Sequence, residues 1–379
     1  MNYESGSVKN IHYGDIHTKF PSIVSIENNK DIPFINSDLD LSKFSENQYL
    51  REGDLIIADA SEDYEDIGKA IEVKDINNEK VLAGLHTILA RDENDMTVNG
   101  FKAYLFSTNN FKTKIKIIAN GISVLGISKN NLSKLNVEIP SKKEQENIVS
   151  FISSIDKKIE LLERKHKLYL EFKNYLMQQI FAQKLRFNFT DEWKVVKLEN
   201  LIKKGKAGGT PSSTNPDYYN GDIPFLSIKD MTEQGKYIVK TEKSITAEGL
   251  NNSSAWIIPK YSLLYSIYAS IGLVAINRAE ISTSQAIYGI ILKEGVSLEY
   301  MYYYLTYFKK NVNRYIETGT QGNLNAKLLK SFDVLLPSLE EQEIIVNMLS
   351  LADEKIENTE KEIIKMNEFK KGLLQQMFI

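Results

Sequence analysis

The chain has 379 residues, of which 42% are hydrophobic and 26% charged, the balance of a soluble globular protein with two or three domains. No apolar run reaches the roughly 18 residues of a membrane helix, and no signal stretch is visible, so we expect a cytoplasmic protein. The lack of cysteine excludes disulfides and thiolate zinc sites. The four histidines show no metal-ligand spacing, which argues against a metal site.

Charge is distributed unevenly along the chain. The net charge is −3, and residues 1–139 carry 15 basic against 21 acidic side chains, whereas residues 187–336 carry 17 against 14. A simple nucleic-acid binder has an overall basic excess, which this chain lacks. Any basic binding surface must therefore be local.

An internal repeat organises the chain. A shift of 197 residues aligns residues 137–149 with residues 334–346 without a gap, and the match continues through Asp156 and Asp353 to Phe181 and Phe378. Self-similarity of this length is the signature of a duplicated unit.

In chain order, the repeat predicts four segments. Residues 1–139 form a mixed domain, with a buried strand, a turn and a second strand from residue 53 to 68 and a short helix at 101–106. Residues 140–186 form a long helix. Residues 187–336 repeat the mixed domain, with the matching strands at 261–272 and a short helix at 298–308, and residues 337–379 form a second long helix.

Each long helix is predicted to begin after Pro-Ser, at residues 140–141 and 337–338, with a glutamate three residues past the serine as in a capping box. Apolar positions then alternate at spacings of four and three, which predicts helices of about 35–40 residues that pair as a coiled coil. The predicted pairing residues are Ile152, Ile155, Ile159, Leu162, His166, Tyr169, Leu176, Leu349, Ile356, Ile363, Met366 and Leu373.

Lys173 and Lys370 interrupt the two apolar seams at equivalent positions of the repeat. A charged residue in a seam is typical of a position that fixes the register of the helices or that faces a partner subunit. The sequence leaves both interpretations open.

Catalytic motifs are missing from the sequence. Asn-Pro-Asp-Tyr at residues 215–218 departs from the Asn-Pro-Pro-Tyr motif of adenine methyltransferases, and residues 205–210 lack the spacing of a phosphate-binding loop. A nuclease set of carboxylates and lysine and a Gly-x-Ser-x-Gly elbow are also missing. We therefore expect a non-catalytic protein.

Polar loops offer a binding chemistry instead, because hydroxyl and amide side chains read base edges while lysines contact phosphates. The predicted DNA-binding residues are Ser61, Lys69, His86, Thr87, Asn120, Ser123, Lys129, Lys206, Thr210, Ser212, Tyr218, Tyr219, Lys229, Tyr268, Ser270, Ser284, Gln285, Gln321, Asn323, Asn325 and Lys327.

The two helix starts, at residues 140–148 and 337–345, and the segment at residues 210–225 with the sequence TPSSTNPDYYNGDIPF together resemble one family. It is the specificity (DNA-recognition) subunit of type I restriction-modification enzymes, and the resemblance covers essentially the whole chain. It implies an α+β fold with two strand-rich target-recognition domains, each followed by a long helix. The helices would pair as an antiparallel coiled coil, related by a pseudo-twofold repeat.

The resemblance also implies a division of labour. Each globular half would read one half of a bipartite target in double-stranded DNA, and the helices would hold the two readers at a fixed separation. Two methyltransferase subunits and two ATP-dependent restriction subunits would dock on this chain. S-adenosylmethionine, ATP and Mg are expected on those partners, with no cofactor and no membrane contact for the chain itself.

One segment departs from the repeat. Residues 187–198 form the usual lead-in of the second domain, and a shift of 197 places the counterpart mostly before Met1. This indicates a start that is cut short or a late start codon, which puts the opening strand of the first domain in doubt. Two alternatives to DNA recognition also remain: a coiled-coil scaffold that binds proteins, and a silent recombining specificity cassette.

Overall fold

The structure, a computed structural model, describes residues 1–27, 29–36, 38–187, 189–268, 270–314 and 324–378. The chain forms two compact units, Met1–Arg164 with Glu360–Ile379, and Lys165–Thr359. We call these the first and the second unit. The predicted segments 1–139, 140–186, 187–336 and 337–379 follow the change from mixed domain to helix, whereas the compact units divide both long helices between them.

The part of the chain up to the end of the first long helix contains eight described strands and five described α-helices, with a 3-10 helix at Glu46–Gln48. They are β1 (Lys9–Ile11), α1 (Tyr13–Thr18), β2 (Ile23–Ser25), β3 (Leu55–Ala58), β4 (Ala60–Ser61), β5 (Ala70–Lys74), β6 (Val81–Ala83), β7 (Thr87–Ala90), α2 (Phe101–Ser107), α3 (Asn109–Ile118), β8 (Leu125–Gly126), α4 (Lys129–Leu132) and α5 (Lys142–Phe181).

The rest of the described chain contains ten strands and six α-helices, with 3-10 helices at Pro216–Tyr218 and Lys309–Arg314. They are β9 (Lys194–Lys197), α6 (Leu198–Leu201), β10 (Ile202–Ala207), β11 (Tyr219–Leu226), α7 (Ile228–Gln234), β12 (Tyr237–Ile238), β13 (Lys243–Ile245), α8 (Ala247–Asn251), β14 (Leu263–Ser266), β15 (Val274–Asn277), β16 (Ser282–Thr283), β17 (Ile287–Leu292), α9 (Leu298–Phe308), α10 (Ala326–Lys330), β18 (Asp333–Leu336) and α11 (Leu339–Met377).

The repeat extends to the topology of the main sheets. The first unit has the strand order β2-β5-β3-β7, and the second unit has β12-β15-β14-β17 with β10 added beside β17. In both sheets the first pair is parallel and the next two pairs are antiparallel. The central strands β3 and β14 are buried along their whole length, as their near-continuous apolar sequences predict. The two short helices, α2 and α9, also form where the sequence predicts them.

The two long helices have the predicted length, 40 residues in α5 and 39 in α11. Within each unit their segments run antiparallel: Ile148 and Ile152 of α5 share a buried cluster with Leu374 of α11 in the first unit, and Ile180 shares one with Ile345 in the second. Of the predicted pairing residues, six are buried and six half-buried, the latter being His166, Tyr169, Ile356, Ile363, Met366 and Leu373.

In the first unit, a carboxylate on α5 joins three elements. Asp156 accepts a hydrogen bond of 2.9 Å from Tyr104 Oη, on α2, and its other oxygen lies 2.5 Å from Lys370 Nζ, on α11. Burial and the nearby Asp156 raise the pKa of the Tyr104 hydroxyl well above its usual range. We call this set of three side chains the first node.

The second unit repeats this arrangement with the helices exchanged, in what we call the second node. Asp353, on α11, accepts a hydrogen bond of 2.6 Å from Tyr303 Oη, on α9, and lies 2.5 Å from Lys173 Nζ, on α5. Lys236 adds a second cation here, 2.7 Å from Tyr303 Oη and 3.7 Å from Asp353. The two seam lysines therefore make cross-helix ion pairs within the chain, which supports the interpretation that they fix register.

A buried glutamine fixes the start of each long helix. Gln145 Nε2 donates to the carbonyl of Pro140, and its Oε1 accepts from the N–H of Val98, just before α2. Gln342 makes the equivalent bonds to Pro337 and Ser297, just before α9. Each glutamine thus couples its helix start to the domain that precedes it, which explains the repeated Glu-Gln pair in the sequence.

The glutamates of the two predicted capping boxes differ in their contacts. The N–H groups of Glu144 and Glu341 both donate to the serine hydroxyl three residues earlier, as predicted. The Glu341 carboxylate, however, accepts from Arg186 and from Trp193 Nε1 in the lead-in of the second domain, whereas Glu144 is exposed.

Within the described residues, no helix is long and apolar enough to cross a membrane.

We predict that Asp353→Asn lowers the free energy of unfolding by about 1–3 kcal/mol, because a half-buried carboxylate with two lysine neighbours loses its charge. Asp156→Asn should cost less, since Asp156 has one lysine neighbour and is more exposed, 35% against 27%. Urea unfolding measures both. Glu354→Gln, an exposed neighbour on α11, is the control and should stay within about 0.5 kcal/mol of wild type. Equal losses in all three variants would contradict the prediction.

Alkaline pH should destabilise the second unit. Burial raises the pKa of Tyr265, whose hydroxyl has no hydrogen-bond partner among the described residues. The native state then keeps a proton that the unfolded state releases, so the free energy of unfolding falls by up to about 1.4 kcal/mol per pH unit above about pH 10. Tyr265→Phe should be as stable as wild type at neutral pH and should lose less stability than wild type above pH 10. Urea unfolding of both proteins at neutral pH and above pH 10 measures the difference. An unchanged alkaline slope would refute this.

Candidate nucleic-acid interface

Many of the predicted binding residues of the second unit lie at one end of the five-stranded sheet. The register places the last residue of β10, Ala207, opposite Tyr288, and the last residue of β14, Ser266, opposite Ile287 at the start of β17. The loops that follow β10 and β14 and the loop that precedes β17 therefore emerge together. They carry Thr210, Tyr268, Ser284 and Gln285.

A pair of glycines brings the loop after β10 against its neighbours. A Cβ on Gly208 would lie 2.1 Å from the carbonyl oxygen of Thr283, and a Cβ on Gly209 would lie 2.1 Å from Ser254 Oγ. The two glycine N–H groups donate to the carbonyls of Ile287 and Thr283, at 2.9 and 3.0 Å. The sequence requires glycine here because two backbone segments approach more closely than a side chain allows.

This close approach joins two predicted binding residues. The exposed Thr210 donates its hydroxyl hydrogen to Gln285 Oε1, which is also exposed. That bond turns the amide NH₂ group of Gln285 away from Thr210 and leaves its two hydrogens for another acceptor. The N–H groups of Ile267 and Tyr268 both donate to the carbonyl of Ala286, so Tyr268 lies next to Gln285.

The loop from residue 211 to 218 follows Thr210 and leads into β11. Tyr219 Oη donates to the carbonyl of Pro211, and the hydroxyls of Ser212 and Thr214 are 2.8 Å apart. Tyr218 is half-buried, and its carbonyl accepts from the N–H of Thr246. Tyr218 and Tyr219 thus fix the conformation of the loop through these hydrogen bonds. Ser212 is exposed on the loop.

The first unit presents its predicted residues at the equivalent end of its own sheet. Ala58, at the end of β3, pairs with Thr87 at the start of β7. The N–H of Asp59 donates to the carbonyl of His86, and the carbonyl of Asp59 accepts from Ile127; in the second unit Ile267 makes the same two bonds, with Ala286 and Leu324. The repeat therefore includes the backbone that supports the candidate site.

His86 presents an exposed side chain with base-reading chemistry at this end of the first unit. Its Nδ1 lies 3.3 Å from Asp59 Oδ1, its side chain is 52% exposed, and its backbone φ is 55°. Tyr13 packs edge-on against it, with the ring centroids 5.4 Å apart. The sequence did not predict Asp59 and Tyr13 as its neighbours, because both are distant from His86 along the chain and only the sheet end brings them together.

The structure places the remaining predicted residues in several environments. Asn120, Ser123, Lys129, Lys206, Ser270 and Lys327 are exposed. Ser61 is buried and accepts from the N–H of Asp63, and the half-buried Lys69 and Thr87 donate to the carbonyls of His17 and Gly84. Lys229 pairs with Glu242, and the Asn325 side chain caps α10. Gln321 and Asn323 lie outside the described residues.

The described part of the chain holds no cluster of three or more histidine, cysteine or carboxylate side chains that could bind a metal ion. What both sheet ends present is a set of hydroxyl, amide and imidazole groups on short, internally hydrogen-bonded loops. Such groups donate to and accept from base edges, which suits recognition of a nucleic acid.

Comparison with known proteins agrees on one family. The model described as "Type I restriction modification DNA specificity domain" matches twice, over residues 2–170 and 190–368. A chain in a solved structure on complex assembly and conformational transition of the type I R-M system is 16% identical, with a TM-score of 0.59 over 87% of this chain and 82% of that chain. At this identity the similarity shows the fold alone.

Two curated relatives match part of the chain. The type I restriction enzyme MjaIX specificity subunit of Methanocaldococcus jannaschii is 33% identical over 50% of this chain and 44% of its own length. The type I restriction enzyme HindI specificity subunit of Haemophilus influenzae is 31% identical over 35% of this chain and 29% of its own length. The chain thus spans less than half the length of either relative.

We predict that Gly208→Ala destabilises the second unit by about 1–3 kcal/mol, because the new methyl group meets backbone oxygen. The matched control is Gly372→Ala. Gly372 lies inside α11 with nothing within 4 Å of its Cβ position, so alanine should stabilise by about 0.5–1 kcal/mol. Urea unfolding reports both signs, and a stabilising Gly208→Ala would show that the loop does not need glycine.

Proposed function

Because the chain belongs to the type I restriction modification DNA specificity family, we propose that it is the DNA-recognition subunit of such a complex. Each half would read one half of a bipartite target in double-stranded DNA. The observation that carries this proposal is the double family match, since each match contains one repeat of the sheet whose end presents polar side chains.

The chemistry at the two sheet ends supports base reading in the grooves. Gln285 offers two amide hydrogens held in place by Thr210, and His86 offers an imidazole beside a carboxylate. Amide and imidazole groups of this kind discriminate base pairs by the donors and acceptors in the major groove. The exposed Lys129, Lys206 and Lys327 would neutralise phosphates nearby, which gives affinity without sequence preference.

The net charges of the two halves suggest unequal contributions to affinity. Residues 187–336 are basic and residues 1–139 are acidic by composition. We propose that the second half supplies more of the phosphate contact, whereas binding by the first half depends more on its base contacts. Partner subunits would add further phosphate contacts to both.

We further propose that the chain is non-catalytic and works with separate subunits in the cytoplasm. Two methyltransferase subunits and two ATP-dependent restriction subunits would act on the DNA that this chain selects. S-adenosylmethionine, ATP and Mg would bind to those partners. The absence of a recognisable catalytic motif in the sequence supports this division.

The test is co-expression of the full chain with its partner adenine methyltransferase, followed by sequencing of methylated positions in the host DNA. We expect methylation at a motif of two specified parts separated by unspecified bases. Exchanging residues 187–336 for the matching part of another family member should change one part of the motif and leave the other unaltered. A single continuous motif, or methylation that does not depend on this chain, would disprove the proposal.

A further inference from the structure

The tip of the turn before β7 combines an exposed imidazole with an uncommon backbone conformation. His86 has a φ of 55°, in the left-handed region that residues with a side chain rarely adopt. Such a conformation persists only when neighbouring groups impose it, and it is common at functional sites. Here the N–H of Asp59 donates to the His86 carbonyl at 3.1 Å, which holds the turn against the start of β4.

The rest of the turn is equally constrained. A Cβ on Gly84 would lie 2.8 Å from the carbonyl oxygen of Ile11, and the Gly84 N–H donates to that same oxygen. Thr87 Oγ1 donates to the Gly84 carbonyl at 2.6 Å, and the N–H of Tyr13 donates to the Leu85 carbonyl at 3.4 Å. The backbone that carries the imidazole is therefore fixed by hydrogen bonds, as the backbone of a base-reading side chain must be.

Asp59 determines which nitrogen of the His86 imidazole can accept a hydrogen bond. Its carboxylate lies 3.3 Å from Nδ1 and favours the tautomer with the hydrogen on that nitrogen. In the neutral ring, Nε2 then carries a lone pair and can only accept a hydrogen bond. An acceptor does not fit a phosphate oxygen, but it fits the exocyclic amino group of adenine or cytosine in the major groove.

By backbone hydrogen bonding, the second unit has Ala286 at the position of His86. The polar side chain of the second unit comes one residue earlier, at Gln285, and is held by Thr210, whereas His86 lies beside Asp59. Each unit therefore presents one exposed polar side chain with a supporting partner at the same end of the same sheet. The backbone hydrogen bonds are repeated in the two units, but the exposed side chains differ.

On this basis we propose that His86 is a specificity-determining residue, which accepts a hydrogen bond from adenine or cytosine at one position of the first half of the target. Asp59 is its positioning residue. The proposal rests on the proposed function of the chain as a DNA reader, and it adds the base-contacting side chain and the chemistry of that contact.

The experiment uses the same co-expression and methylation sequencing with variants of the full chain. His86→Ala should relax one position of the first half-site, raising methylation at sites with another base there by about tenfold relative to wild type. His86→Arg, which can only donate, should shift that position toward guanine. Asp59→Asn should relax the same position, and combining it with His86→Ala should add nothing, because Asp59 acts through His86.

Two controls show that the complex is folded and assembled. Asp75→Asn removes a carboxylate from another residue with positive φ, at the opposite end of the same sheet, and should leave the motif unchanged. In every variant of His86, Asp59 and Asp75 the second half-site should stay as in wild type. Gln285→Ala, in the second unit, should alter the second half-site alone.

Several outcomes would overturn the inference. Retention of the wild-type base by His86→Arg would show that this side chain does not read it. Loss of all methylation in both His86 variants would assign the residue to the fold rather than to recognition, as would additive effects of Asp59→Asn and His86→Ala. A wild-type chain that directs no bipartite motif would overturn the proposed function as well, so the two failures are distinguishable.

Discussion

One carboxylate in each unit links the three parts of the structure. Asp156 and Asp353 each lie on one long helix, accept a hydrogen bond from a tyrosine of the recognition domain, and pair with a lysine of the other helix. Because a half-buried carboxylate is stable only when its oxygens are satisfied, this geometry selects one register of the antiparallel helices and one position of the domain on them. The buried glutamines at the helix starts constrain the same domain from a second point.

The repeated frame explains how two halves of one chain carry different binding surfaces. The sheets share their strand order, and the backbone bonds of Asp59 and Ile267 are equivalent. The side chains at the loop tips differ, because those positions face solvent and are less constrained by packing than the core. In a family whose members act on DNA sequence, such a frame allows a new target to arise by changes at a few exposed positions while the core is preserved.

The two units are not identical, and the differences lie in the elements around the frame. The second unit has Lys236 at its node, the strand β10 at its sheet edge, and a buried Glu341 that binds Arg186 and Trp193. The first unit has the cluster of His86, Asp59 and Tyr13 and an exposed Glu144. The tyrosine-rich α9 gives the second unit a larger aromatic core, in which burial raises the pKa of Tyr300 and Tyr303.

The sequence alone determined the duplication, the two long helices and the short helices α2 and α9, because helix signals are local: a proline and serine at the start and apolar residues at alternating spacings of four and three. It also indicated which loops carry polar chemistry, and the family to which the chain belongs. Only the tertiary structure showed that Lys173 and Lys370 pair across the helices, that Ser61 is buried, and that Asp59 supports His86. Those facts depend on contacts between residues far apart in the chain, and no local pattern encodes which distant residues a folded sheet end brings together.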